Sequence, residues 1–98
     1  MLLLIDPRVK KFIEHCTEKQ ISKILEYFDL FKEYGFLLDI RYLNKIRGRV
    51  WELRPGDIRV FIYEKNNSGI IIHANFKKSK KTTKKDLKVI SSRMKQYI

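Results

Sequence analysis

The chain contains few of the residues that stabilise small secreted proteins or bind metal ions. Cys16 is its only cysteine, which excludes an internal disulfide and predicts a reducing compartment, the cytoplasm. His15 and His73 are its only histidines, and with one cysteine they do not give the ligand spacing of a zinc site. No phosphate-cradling glycine loop is present either. We therefore expect neither a metal nor another cofactor.

Proline and glycine are also scarce, with two and four residues in 98. No proline-rich linker, repeat or low-complexity segment divides the chain, apart from a cluster of lysines near its end. This length and an apolar content of 44% predict one folded domain over residues 1–98. The apolar start, Met1–Ile5, is too short for a membrane span or a signal peptide, so no membrane partner is expected.

Acidic residues are outnumbered two to one. The chain has 22 Lys and Arg against 11 Asp and Glu, a net charge of +11. The imbalance belongs mostly to residues 50–98, which carry twelve basic residues and four acidic ones. Such a charge favours a polyanionic partner, which could be nucleic acid, the ribosome, an acidic membrane surface or an acidic protein.

Helix signals dominate the first third of the chain. Asp6 followed by Pro7 is typical of a helix N-terminus, and apolar residues then recur at helical spacing. Thr17 and Gln20 fit a capping box that begins a second helix, and Gly35 is suited to end it. The sequence therefore predicts an N-terminal helical hairpin, preceded at residues 1–5 by a short strand or a lead-in to the first helix.

Strand signals follow. Residues 36–48 are predicted to form a basic connecting segment with its apolar residues packed beneath it. Three strands are predicted at about 50–54, 57–64 and 69–76, joined by tight turns into an antiparallel meander. Thr83 is a candidate N-cap for a last helix. The predicted fold is α+β: two N-terminal helices, a small antiparallel sheet and a C-terminal helix.

The first predicted hairpin carries two arginines. Side chains alternate along a strand, so Glu52 and Arg54 share one face, while Arg59 points away from its apolar neighbours. A guanidinium fixed on a short strand can grip a phosphate with paired hydrogen bonds. The alternative is an ordinary exposed strand charge, with Arg54 paired to Glu52 or Asp57. The hairpin alone leaves both interpretations open.

Seven lysines lie between residues 77 and 88. A lysine run is usually a solubilising face or a loose polyanion-binding patch. Here it begins where the last strand ends, so Lys77 and Lys78 are predicted to leave the sheet near the arginine hairpin and to share one basic cleft with it. His73 lies in an apolar strand, where a histidine of the core or sheet is expected rather than a catalytic one.

Several short motifs follow one another along the chain. They are Tyr42-Leu43, Gly48-x-Val50-Trp51-Glu52-Leu53-Arg54, Ile58-Arg59-Val60-Phe61, His73-Ala74 and Lys77-Lys78-Ser79-x-Lys81-Thr82. Each motif is weak alone, but the ordered set resembles the HigB-like, phage-derived branch of the RelE/ParE superfamily, the toxins of bacterial type II toxin–antitoxin pairs. The resemblance covers roughly residues 7–97 and implies the same α+β arrangement of helices and sheet.

The resemblance implies an mRNA endonuclease that cuts translated message in the ribosomal A site, by attack of an RNA 2'-hydroxyl on the adjacent phosphate. Arg54 and Arg59 would stabilise the scissile phosphate, and Glu52 would accept a proton or orient Arg54. Lys77 is included among the catalytic residues as a possible general acid. The RNA-binding residues would be Lys78, Lys80, Lys81, Lys84 and Arg49.

The resemblance also implies partners and alternatives. The partners would be mRNA on the ribosome and an antitoxin, expected to be a helix-turn-helix DNA-binding protein. ParE-like members of the superfamily instead inhibit DNA gyrase, and a non-catalytic RNA- or ribosome-binding module is a third possibility. The chain departs from the family pattern at Thr83, where proline is usual, and at Asn75, where an aromatic residue is usual.

Overall fold

The computed structural model of the chain describes residues 1–77 and 81–98. Within these residues the chain forms five strands and three helices, plus a 3-10 turn at Gly35–Leu37. In chain order the elements are β1 (Leu3–Ile5), α1 (Pro7–Glu14), α2 (Glu18–Tyr34), β2 (Leu43–Arg47), β3 (Val50–Leu53), β4 (Ile58–Lys65), β5 (Ser68–Phe76) and α3 (Lys84–Met94). The predicted α+β class is confirmed.

The five strands form one sheet in the order β1-β5-β4-β3-β2. Strands β2 to β5 make the antiparallel meander, and β1 pairs in parallel with β5 at one edge. The apolar strand β5 therefore lies inside the sheet, because β1 and β4 flank it. Parallel strands such as β1 and β5 cannot be joined by a tight turn. The chain therefore leaves β1 through α1 and α2 before it enters the meander.

The prediction of a connecting segment between the helices and the first hairpin is partly wrong. Residues 43–47 form β2, the edge strand that pairs with β3, whereas the sequence predicted a connecting segment at 36–48. Its exposed side chains are polar, and edge strands of this kind resemble loops in sequence. The prediction that the apolar residues of this segment are buried is confirmed for Leu43 but is wrong for Leu37 and Ile40, which are largely exposed.

Helices cover both faces of the sheet. Helices α1 and α2 pack on one face, over a core that includes Val9, Phe28 and Phe31. On the other face Ile90 of α3 packs against Phe61 and its neighbours in β4 and β5. The sheet therefore has two buried faces, which explains why the first six residues of β4 are all buried instead of alternating between buried and exposed.

The predicted helix boundaries are confirmed at the N-termini. Asp6 caps α1 and accepts the backbone N–H of Arg8 at 2.8 Å. Thr17 and Gln20 form the reciprocal capping box of α2, with bonds of 3.1 and 2.9 Å. Gly35 ends α2 with a φ of 59°, a conformation that favours glycine. In the described parts of the chain, no helix is both long and apolar enough to cross a membrane.

Candidate phosphate site at the end of the sheet

A buried carboxylate holds the two arginines of the β3–β4 hairpin together. The side chain of Glu52 is fully buried, and its Oε1 accepts a hydrogen bond from Nε of Arg54 at 2.7 Å. Its Oε2 lies 3.4 Å from Nε of Arg59. The antiparallel pairing explains why both arginines reach Glu52. Leu53 is paired with Val60, so Arg54, which follows Leu53, lies beside Arg59, which precedes Val60.

The two arginines differ in their access to solvent. The side chain of Arg54 remains 41% exposed, whereas that of Arg59 is only 3% exposed. The bond to Glu52 fixes Nε of Arg54, and the exposed part of the side chain faces the solvent from which an anion would approach. Arg59 supplies a second positive charge beneath it. The arrangement is therefore a rigid cation supported by a buried carboxylate.

A second polar cluster connects the sheet to α3. Oδ1 of Asp86, in the first turn of α3, lies 2.9 Å from Nε2 of His73 and accepts a bond from Asn75 at 2.5 Å. Its Oδ2 accepts the hydroxyl of Thr83 at 2.7 Å, and the Thr83 hydroxyl in turn accepts the backbone N–H of Asp86. The lysine-rich start of α3 is thus fastened to β5.

The pKa values of this cluster shift in the directions that its burial and hydrogen bonds require. Burial has the largest influence on Asp86 and raises the pKa of its carboxyl, but bonds from His73, Thr83 and Asn75 outweigh it, so the pKa lies below its usual value. Burial also lowers the pKa of the His73 imidazole, although the bond to Asp86 opposes that shift. Both directions favour an ionised Asp86 and a neutral His73 at neutral pH.

The two clusters lie side by side on the face of the sheet that α3 covers. Arg59 is paired with Asn75 across β4 and β5, and Phe61 is paired with His73. Glu52 is paired with Phe61 on the other side. We call this surface the arginine–histidine face; it consists of Glu52, Arg54, Arg59, His73, Asn75 and Asp86.

A β-bulge brings His73 to this face. Ile62 is paired with Ile71 and Phe61 with His73, so Ile72 is an additional residue in β5. Regular alternation from Ile71 would turn His73 toward the core under α1 and α2. The extra residue reverses the alternation. The ring of His73 consequently stacks on Phe61, with 5.5 Å between centroids.

The predicted lysines are only partly brought to the arginine–histidine face. The backbone N–H of Lys77 donates to Asp57 at 2.7 Å, so the end of β5 adjoins the turn of the arginine hairpin as the sequence predicted. The side chains of Lys77, Lys81 and Lys84 are exposed. Lys78 and Lys80 lie outside the described residues.

Arg49 lies at the other end of the hairpin. Arg49 precedes β3 and Arg54 follows it, so the four residues of the strand lie between them and place them about 16 Å apart. Arg49 lines a separate cavity of about 150 Å³ between α3 and the β2–β3 turn. It is not brought together with Arg54, and its predicted contact with RNA is a proposal about a different part of the surface.

Sequence reasoning did not assign His73, Asn75 or Asp86 to the site. The sequence identifies Thr83 only as a candidate N-cap, and it predicts a core or sheet position for His73. The bulge and the docking of α3 on β5 both depend on tertiary structure. Within residues 1–77 and 81–98, no three His, Cys, Asp or Glu side chains are grouped closely enough to bind a metal ion.

Known proteins share this sequence pattern and fold. Residues 11–95 match the family model described as phage-derived protein Gp49-like (DUF891). A chain of the crystal structure of the archaeal RelE–RelB complex from Pyrococcus horikoshii OT3 superposes with a TM-score of 0.67 and 20% identity, over 79% of this chain and 94% of that one. No curated protein gives a significant sequence match. The family match agrees with the phage-derived branch that the resemblance named, and the superposition confirms the fold that it implied.

Proposed function

The chain belongs to the family of Gp49-like phage-derived proteins, and we propose that it is the toxin of a type II toxin–antitoxin pair, acting as a ribosome-dependent mRNA endonuclease. The observation that carries this proposal is the half-exposed Arg54, held by the buried Glu52 beside Arg59. An ordinary surface ion pair has two exposed partners and contributes little to stability. A wholly buried carboxylate that fixes one exposed guanidinium is instead suited to presenting a cation to an anion.

The chemistry that this site would support is attack of a ribose 2'-hydroxyl on the adjacent phosphate. The 2'-oxygen loses its proton and bonds to phosphorus, the P–O5' bond breaks, and the leaving oxygen gains a proton. The products are a 2',3'-cyclic phosphate and a 5'-hydroxyl end. Negative charge grows on the phosphate in the transition state, where Arg54 and Arg59 would stabilise it. The ribosome would hold the message in the in-line geometry that attack requires.

The basic surface around the arginines would bind the RNA backbone. Lys77 adjoins the hairpin turn, Lys84 is the first residue of α3, and Lys81 lies three residues before it. We assign backbone contacts to these lysines and to Lys78 and Lys80. Lys77 is the candidate that would return a proton to the leaving 5'-oxygen. Phosphate contacts of this kind release counterions, so binding should weaken steeply as salt is raised.

An antitoxin protein is the second proposed partner. The superposed archaeal structure is a complex of RelE with RelB. The net charge of +11 favours an acidic protein surface as the complement of this chain. We propose an antitoxin that covers the basic surface or blocks docking on the ribosome, and we expect its other part to be a helix-turn-helix DNA-binding domain.

Induced expression in growing bacteria tests the proposed function. We expect growth arrest and new, codon-phased mRNA ends bearing a 5'-hydroxyl. Arg54→Ala should abolish both effects, because removing one charge-stabilising donor typically slows such reactions about 100- to 1,000-fold. Arg47→Ala is the matched control, since it removes the same charge at the far end of the sheet and should arrest growth like the wild type.

Other outcomes would replace the proposal. Arrest with DNA gyrase poisoning and intact message would indicate a ParE-like inhibitor. Binding to ribosomes without arrest or cleavage would indicate a non-catalytic module. Equal cleavage by the wild type and Arg54→Ala would show that the site lies elsewhere on the molecule.

A further inference from the structure

Hydrogen bonding and ring stacking hold His73 in a defined orientation and, when it is neutral, in a defined tautomer. Because the carboxylate of Asp86 only accepts hydrogen bonds, Nε2 of His73 must donate the bond of 2.9 Å between them. The proton on Nε2 leaves the lone pair of a neutral imidazole on Nδ1. Phe61 stacks on the ring and restricts its rotation. The carboxylate thus selects a tautomer and an orientation, as buried carboxylates do for catalytic histidines.

His73 is also a near neighbour of the proposed phosphate-binding cations. Arg59 is paired with Asn75, and His73 precedes Asn75 by two residues on the same face of the sheet. Such diagonal neighbours lie about 7–8 Å apart. A ribose 2'-hydroxyl is adjacent to the phosphate it attacks, so a proton acceptor must lie close to the group that binds the phosphate. The side chain of His73 is 13% exposed to solvent.

We propose that Nδ1 of His73 accepts the proton of the attacking 2'-hydroxyl, with Asp86 as the positioning residue that orients the imidazole. The proposal rests on the endonuclease function proposed above. The 2'-oxygen bonds to phosphorus as its proton moves to Nδ1, and the leaving 5'-oxygen takes a proton from a lysine ammonium, for which Lys77 is the candidate. Glu52 then has no proton-transfer role, because it is fully buried between the arginines and orients Arg54.

Several charged groups face His73 and determine when it is neutral. Asp86 on α3 favours the protonated imidazole, whereas Arg93, also on α3, favours the neutral one, as does burial. Arg59 on β4 lies diagonally across the strand pair and is a further positive charge on the same face. The net effect is a pKa below the usual 6.5, so the imidazole can accept a proton at neutral pH.

Single-turnover cleavage of mRNA on purified ribosomes tests the proposal. His73→Gln should lower the cleavage rate about 100-fold while ribosome binding changes less than about threefold, because a general base acts on the chemical step. The wild-type rate should rise with pH through the pKa of His73 and then level off, and this rise should be absent in His73→Gln. His15→Gln, which changes an exposed histidine, is the matched control and should match the wild type.

Chemical rescue separates catalysis from structural support. Added imidazole should restore cleavage to His73→Ala but not to Arg54→Ala, since only the former lacks a proton acceptor. Asp86→Asn should slow cleavage at least about tenfold, because an amide that donates to Nε2 selects the wrong tautomer. Thermal melting of each variant, read by circular dichroism, will identify any that fail to fold.

The outcomes of the two proposals are distinguishable. A wild-type protein that cuts no message contradicts the proposed function itself. A wild-type protein that cuts, together with a folded His73→Gln that cuts at the same rate with the same pH profile, overturns the role of His73 alone. Loss of cleavage in His73→Ala that imidazole does not restore, with ribosome binding also lost, would make His73 a structural residue.

Discussion

At the scale of single residues, Glu52 determines whether the arginine pair can exist. Two guanidiniums converge on a carboxylate that no solvent reaches. Burying that carboxylate is costly, and its attraction to both cations offsets the cost. The same group that stabilises the hairpin therefore also fixes Arg54 in one position, which connects local stability to the proposed chemistry.

Glu52→Gln tests that connection. The substitution keeps the shape but leaves two like charges without their counter-ion, and we expect it to lower the free energy of unfolding by about 3 kcal/mol. Urea unfolding followed by circular dichroism measures the change. Glu26→Gln on α2, whose partner Lys23 is also exposed, should change stability by less than about 0.5 kcal/mol. Equal effects of the two substitutions would contradict a special role for Glu52.

At the scale of elements, the start of α3 has both local and tertiary ties. Thr83 caps the helix by accepting the backbone N–H of Asp86 at 3.1 Å. Asp86 is then bonded to two residues of β5. The cap is visible in the sequence because it joins residues three apart. The bonds to β5 are not, because they join residues 11 and 13 apart that meet only after α3 packs on the sheet.

Substitution of Thr83 measures how much the N-cap hydrogen bond of α3 contributes to stability. Thr83→Ala should lower the free energy of unfolding by about 1 kcal/mol, the usual cost of losing an N-cap side chain. Thr83→Ser retains the hydroxyl and should remain close to the wild type. Chemical unfolding of the three proteins under one condition makes the comparison. A serine variant as unstable as the alanine variant would show that the methyl group, not the cap, carries the effect.

At the scale of the whole molecule, one buried acid connects the two ends of the chain. The carboxylate of Asp6 accepts the Tyr97 hydroxyl at 2.5 Å and lies 2.7 Å from a guanidinium nitrogen of Arg8. Hydrogen bonds from Arg8 and Tyr97 lower the pKa of Asp6 well below its usual 3.8, although burial opposes the shift. The start of α1 is thereby fixed to the segment that follows α3.

This network predicts how stability depends on pH. The folded-state pKa of Asp6 is depressed, so its contribution is present above about pH 4 and is lost as the pH falls below that value. When the pH is lowered from 6 to 2.5, the free energy of unfolding of Asp6→Asn should fall by about 2 kcal/mol less than that of the wild type. Urea midpoints at several pH values measure this difference. Asp29→Asn, which changes an exposed acid, should retain the wild-type dependence.

The fold was more predictable from sequence than the site. Helix caps at Asp6 and Thr17, the turn that follows Arg54 and the apolar runs of β4 and β5 depend on residues close in the chain. Strand β2 was missed because its apolar side chains are few and its outer edge is polar. For the site, the alternation of side chains along a strand was enough to place Glu52 and Arg54 on one face. The position of Lys77 near the hairpin could be predicted because it follows the end of the last strand. The roles of these residues stay predictions.

The sequence by itself determined the elements, the positive charge and the arginine hairpin, because periodicity, capping and turn residues act over a few positions. Only the tertiary structure decided that Glu52 is fully buried, that Arg54 is exposed while Arg59 is not, and that Arg49 lies apart from them. It also decided the position of His73, since one extra residue in β5 turns its side chain from one core to the other. Burial, strand register and helix docking depend on distant parts of the chain, and no local pattern encodes them.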